Sequence, residues 1–136
     1  MHQRVLELDT PGRGLHDITA RVAEVVAGSP VAAGLCHLFV QHTSASLTIQ
    51  ENADPAVLTD LDGWFSRAVR DGDPEFRHRE EGPDDMSAHV RSALTATSLC
   101  VPVVDGRLAL GTWQAIYLFE HRTRPYRRRV VVTVQG

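Results

Sequence analysis

Three histidines stand where a hydrophobic core has no use for them. His42 ends the apolar run LFV and precedes Thr43 and Ser44; His78 lies in the polar stretch FRHREEGPDD; His89 follows Asp85 by four residues. On a helix, that last spacing puts carboxylate and imidazole one turn apart on the same face. Imidazole ligates zinc and other first-row metals, and a carboxylate often orients the ring. The separations (36 residues from 42 to 78, 11 from 78 to 89) match no compact zinc motif, so spacing alone leaves ordinary hydrogen-bonded histidines as the alternative. Glu80, Glu81, Asp84 and Asp85 put four acids into six residues. They repel one another unless water, a helix N-terminus or a hard cation such as Mg²⁺ relieves them.

Two further polar groups invite chemistry. Glu51 and Asn52 follow the small-residue segment SASLT and have no capping duty, unlike Asp54, which caps a helix. Glu120, His121 and Arg122 form a dense triple, followed by Arg124, Arg127, Arg128 and Arg129. Arg122, held at a strand end, is the arginine expected to grip a phosphate or carboxylate through its planar fork, with Arg127, Arg128 and Arg129 facing water. Ser44 and Ser46 near His42 give only a faint serine-nucleophile pattern. The chain contains no glycine-rich phosphate loop, nucleophile elbow or dinucleotide fingerprint.

The elements that must position these residues follow from periodicity. Val5, Leu6 and Leu8 read as a strand closed by turn residues 9–14, and Ile18, Val22, Val25 and Val26 as a helix stopped by Gly28-Ser29-Pro30. Leu35 to Val40 is apolar at nearly every position, as in a strand buried on both faces. Asp54-Pro55 opens a helix with the stripe Val57, Leu58, Leu61, Trp64, Phe65, Ala68 and Val69. A polar loop over 71–82 leads to a third helix near Pro83, expected to turn Met86, Val90, Ala93 and Leu94 inward. Strands are expected over 99–104, 107–110, 113–121 and 129–135, with Asp105-Gly106 as a two-residue hairpin and Pro102 marking an edge or a bulge. The pattern predicts one domain over residues 1–136, α+β in class: a mostly antiparallel two-sheet β-sandwich with three helices.

Composition narrows the partners. A net charge of -3 excludes a general nucleic-acid or membrane-surface binder. All 14 cationic residues are arginine, a bias that reads as compositional. Cys36 and Cys100 sit in apolar runs and read as small hydrophobes rather than a disulfide framework. No signal core and no apolar run near the roughly 18 residues of a membrane span are present, which predicts a cytoplasmic protein.

Taken together, QHTSASLTIQENAD, HREEGPDDMSAHVRSAL, GRLALGTWQAIYLFEHR and VVVTVQG resemble the motifs of the YjbQ-like family, often labelled secondary thiamine-phosphate synthase, from about Val5 to Gly136. Ser87 and Ala115 depart from that pattern, where proline and glycine are usual. The resemblance implies a β-sandwich assembled as a homotrimer, its polar motifs lining a pocket near the subunit interface with a bound divalent metal, zinc or magnesium. It implies His42, His78 and His89 as metal ligands. It places Glu51, Asn52, Asp85 and His121 in the chemistry, and Thr43, Ser44, Trp113 and Arg122 on a small phosphorylated substrate. The implied reaction joins a pyrimidine methyl pyrophosphate to a thiazole phosphate. Three imidazoles suit zinc better than magnesium, so a zinc-type hydrolase is the main alternative, and a non-catalytic trimer binding a small anion the third.

Overall fold

The computed structural model describes residues 1–136. Eight strands and three helices follow in the order β1 (His2–Thr10), β2 (Gly14–Asp17), α1 (Thr19–Ala27), β3 (Gly34–Val40), β4 (Ala45–Glu51), α2 (Pro55–Ala68), α3 (Asp85–Leu94), β5 (Ser98–Val104), β6 (Arg107–Leu108), β7 (Gln114–Glu120) and β8 (Tyr126–Gln135). They form an antiparallel five-stranded sheet, β1-β8-β3-β5-β6, and an antiparallel three-stranded sheet, β2-β7-β4. The architecture is the α+β sandwich expected from the pattern. Two strands, β2 and β4, go beyond the expected set: the first is short, and the second alternates Ala45, Leu47 and Ile49 with polar residues in a stretch whose overall character is polar.

Between the sheets, Leu6, Leu8, Leu38, Val40, Val130, Val132 and Val134 meet Ala45, Leu47, Ile116 and Leu118, and α1 closes the core with Val22, Val25 and Val26. The three-stranded sheet is covered on its other face by α2 and α3, where Phe65 packs edge-on against Phe119 with ring centroids 5.2 Å apart. β7, at the centre of this layer, is therefore buried from Ala115 to Glu120.

The outer face of the five-stranded sheet has no such cover. β3 alternates strictly, and Leu35 and Phe39 are exposed, so the expectation of burial on both faces is corrected: one face is in the core and the other bare. Val5, Val131 and Phe39 lie in one cross-strand row on that bare face.

Local signals fix the turns. Asp54 accepts from the backbone N–H of Ala56 (2.9 Å) with Pro55 in the first helical position. Asp105 and Gly106 both take positive φ, 50° and 75°, as a tight hairpin requires. Pro102 pairs in register with Leu35 of β3, and its carbonyl accepts from the N–H of Ala109 (2.8 Å), so its nitrogen faces the β6 side, where the short β5–β6 ladder stops. A Cβ on Gly34 would lie 2.1 Å from the carbonyl oxygen of Gln135, so only glycine lets β3 start against the end of β8.

α3 is turned opposite to expectation. Its buried residues are Asp85, Ser87, Ala88 and Arg91, while Ala93 and Leu94 are exposed and Met86 and Val90 half-buried. Small residues let the helix lie close on the sheet, and its apolar side faces out. Ser87 donates to Asp71, and buried Arg91 donates to the Val69 carbonyl (3.2 Å). No helix is long and apolar enough to cross a membrane.

Candidate functional site

The first turn of α3 brings Asp85 and His89 to one face, and the loop ahead of the helix lays His78 beside them. Nε2 of His78 is 2.6 Å and Nε2 of His89 3.2 Å from Oδ2 of Asp85. All three atoms lie within 4.8 Å of one another. Asp85 is buried, but the His78 side chain is 46% and that of His89 33% exposed, so the group opens on the surface.

Tautomers follow from the partners. Nδ1 of His89 is 3.1 Å from the carbonyl oxygen of Thr43, which can only accept, so Nδ1 carries a proton, and Nε2, the nitrogen turned toward the Asp85 carboxylate, is the one that a metal ion would take in place of a proton. This is how second partners orient a ligating imidazole. Ligands of a tetrahedral ion at about 2.0–2.1 Å stand roughly 3.3 Å apart. The His89 to Asp85 distance already matches, and the shorter His78 contact needs to open by less than about 1 Å. By donor chemistry, two imidazole nitrogens and one carboxylate oxygen suit a zinc-type ion better than magnesium, which prefers oxygen, and the three atoms stand within 4.8 Å of one another. Burial raises the Asp85 carboxyl, but the hydrogen bond from His78 and the charges of Arg122, His89 and His78 outweigh it and hold the group ionised.

His42 does not join this set. Its Nε2 accepts the backbone N–H of Arg129 (2.8 Å), which leaves the proton on Nδ1 and no free lone pair. Burial, then Arg128, lowers its pKa, which keeps the ring neutral. With Phe39, Thr43, Ser44, His89 and Thr97 it lines an open cleft of about 750 Å³ beside the His78–Asp85–His89 group.

The arginines reverse the expected roles. Arg122 is buried, and all three of its nitrogens are engaged: Nε donates to Asp84 (3.0 Å), Nη1 to Asp85 (2.8 Å) and Nη2 to the Glu81 carbonyl (2.9 Å). Its fork is closed on acids of this chain, which corrects its expected grip on a substrate anion. Arg128, expected in water, is buried on Glu120 (Nε–Oε1 2.7 Å, Nη2–Oε2 2.5 Å) and also donates to both oxygens of Ser44. Ser44 thus serves to hold the segment whose Thr43 carbonyl orients His89. Alternation carried a signal for this, since Arg128 is in phase with Val130, Val132 and Val134.

His121 is fully buried, its Nε2 2.8 Å from Ser46 Oγ, and reaches no cleft. Burial, then Arg91, Arg13 and Arg128, lowers its pKa to about 3. Glu51, Asn52 and Trp113 lie at the opposite end of the smaller sheet. Ala45 pairs with Glu120 and Glu51 with Gln114, so six strand steps, roughly 20 Å, separate Glu51 from the α3 end. There Asn52 Nδ2 donates to the Thr112 carbonyl (3.0 Å), Glu51 accepts from the N–H of Ala53 (3.0 Å), and Trp113 is exposed. One chain does not bring them to His78 and His89.

Comparison with known proteins agrees with this fold. A UPF0047 protein of Synechocystis is 54% identical over 99% of this chain and 92% of its own length. The UPF0047 protein YjbQ of Escherichia coli O157:H7 is 45% identical over 99% and 98%. A solved structure from Thermus thermophilus superposes with a TM-score of 0.86 at 39% identity, covering 97% of this chain and 99% of that one. One from Aeropyrum pernix gives 0.90 at 28% identity over 100% and 99%. The family model described as UPF0047 protein YjbQ-like matches residues 4–136, and the chain belongs to that family.

Proposed function

We propose that the protein is a metal-dependent enzyme acting on a small molecule, with His78, Asp85 and His89 as ligands of a zinc-type ion. The observation that carries this reading is the convergence of two Nε2 atoms and one carboxylate oxygen beside a surface cleft that His89 lines, with the His89 ring oriented by the Thr43 carbonyl. When bound, such an ion supplies Lewis acidity and lowers the pKa of water toward about 7. The chain's residues do the rest. Asp85 and His89 are fixed by α3, Thr43 orients His89, and His42 presents its Nδ1–H near the cleft as a donor to substrate oxygen.

Among the catalytic readings, this donor set favours hydrolysis over thiamine-phosphate synthesis. The synthase reaction needs a cationic donor on departing pyrophosphate, and Arg122 is committed to Asp84 and Asp85. A homotrimer belongs to the same proposal. Val5, Leu35 and Phe39, exposed among polar neighbours on the bare face of the larger sheet, support assembly, and a neighbouring copy can carry Glu51, Asn52 and Trp113 toward the cleft that one chain leaves without them.

Elemental analysis and zinc titration of the purified protein test the reading. One tightly bound ion per chain is expected, lost in His78→Ala and His89→Ala and kept in His42→Ala. Wild-type protein that binds no zinc, or His78→Ala and His89→Ala variants that keep full stoichiometry, would sink it. Turnover with thiamine precursors in Mg²⁺ alone would favour the synthase.

A further inference from the structure

We infer that Arg122, aligned by Asp84, is a positioning residue that holds Asp85 to a single ligating oxygen. The inference rests on the metal-centre reading above. Asp85 has two oxygens with separate duties: Oδ1 accepts from Nη1 of Arg122 (2.8 Å), and Oδ2 faces His78 and His89. Turning the carboxylate to offer both oxygens to one ion would break the Arg122 contact and leave a buried guanidinium short of a partner, which is costly.

The guanidinium cannot follow such a turn, because it is held elsewhere. Oδ2 of Asp84 accepts from Arg122 Nε (3.0 Å), Thr123 N (2.9 Å) and Thr123 Oγ1 (3.1 Å), so it is saturated and fixed. The Glu81 carbonyl takes Nη2, the Arg122 backbone N–H donates to Glu120 (3.1 Å), and the guanidinium lies 5.2 Å from the centre of the Tyr126 ring. A planar fork with every nitrogen engaged sets orientation in a way a lysine point charge does not.

A metal ion there would meet one ligand atom each from His78, Asp85 and His89, which would leave it room for water and substrate. A carboxylate binding through both oxygens would take up part of that room. The rival explanation is that Arg122 only ties residues 81–85 to the end of β7.

Cobalt separates the two, because the visible d–d bands of Co²⁺ weaken as its coordination number rises. We expect the wild-type protein saturated with Co²⁺ to give the intense bands of a four-coordinate ion. In Arg122→Met the absorbance per bound ion should drop severalfold as Asp85 takes up both contacts, with zinc affinity reduced roughly 10- to 100-fold. Asp84→Asn, which keeps Arg122 but loosens it, should fall between. If Arg122→Met does not fold, Asp84→Asn and Arg122→Lys carry the same readout. Weaker affinity or a lower melting point with a wild-type spectrum in the folded variants overturns the inference and leaves a tying role only. Wild-type protein that takes up neither Co²⁺ nor Zn²⁺ overturns the metal reading, and the inference with it.

Discussion

A histidine kept neutral inside a protein makes stability depend on pH, and His121 is such a residue. In an unfolded chain an imidazole titrates near 6.5. In the fold, burial and the nearby arginines hold His121 down to about 3. Between these values the unfolded chain carries one more proton, so stability falls as pH drops from about 6.5 toward 3, by about 1.4 kcal/mol per pH unit. Asp84 acts in the same direction further down. Burial opposes its ionisation, but Arg122 and Thr123 win and set its pKa at about 2, so its share is lost as pH falls from 3.8 toward 2. Denaturant unfolding between roughly pH 4 and 6 should show the wild-type slope reduced by about one proton in His121→Gln, which keeps a donor for Ser46. An unchanged slope would mean that His121 is protonated in the folded protein. None of this bears on His78 and His89, whose exposed rings take their meaning from Asp85.

Elements explain which residues are legible in the sequence and which are not. The four-residue step from Asp85 to His89 is readable, because one helical turn fixes it whatever the helix packs on. His42 misleads because chain proximity to Thr43 and Ser44 says nothing about the Arg129 N–H that reaches it across 87 residues. The direction in which α3 faces is hidden for a similar reason. Its apolar side looks inward only if it lies on an apolar surface, and the sheet face beneath it carries Ser46 and His121. β4 carries a period-2 signal, Ala45, Leu47 and Ile49 alternating with Ser46, Thr48 and Gln50, but it is short and masked by the polar residues on both sides of it. In β8 the signal is present and overridden by charge. Burying Arg128 requires Glu120, and the two stabilise each other only as a pair. Arg128→Ala leaves that carboxylate buried without its partner and should cost about 3–5 kcal/mol in denaturant unfolding. Arg127→Ala removes an exposed neighbour one residue away and should leave the midpoint essentially unchanged. Equal losses in the two variants would show that Arg128 is not held as described.

At the scale of the whole molecule, the decisive feature is that the sandwich is covered on one side only. Val5, Leu35 and Phe39 stay exposed on the outer sheet, and Trp64 of α2 is exposed on the helical side. A two-fold dimer joins one patch to itself, whereas a closed ring of three joins two different patches on each chain. Two distinct apolar surfaces are what a ring needs, and on the trimer reading each must be intact. Wild-type protein should then scatter light as three chains of 15.0 kDa, about 45 kDa. Phe39→Asp and Trp64→Asp should each give chains near 15.0 kDa, because a charge cannot be buried without a partner. Mixing the two variants makes the sharper test. A chain with an intact helical patch can still meet one with an intact sheet patch, once, so the mixture should form a heterodimer of about 30 kDa, two chains of 15.0 kDa. A self-paired dimer would predict no such rescue. Wild-type chains that stay near 15.0 kDa at micromolar concentration would remove the trimer altogether, and with it the route by which Glu51 and Asn52 reach a neighbour's cleft.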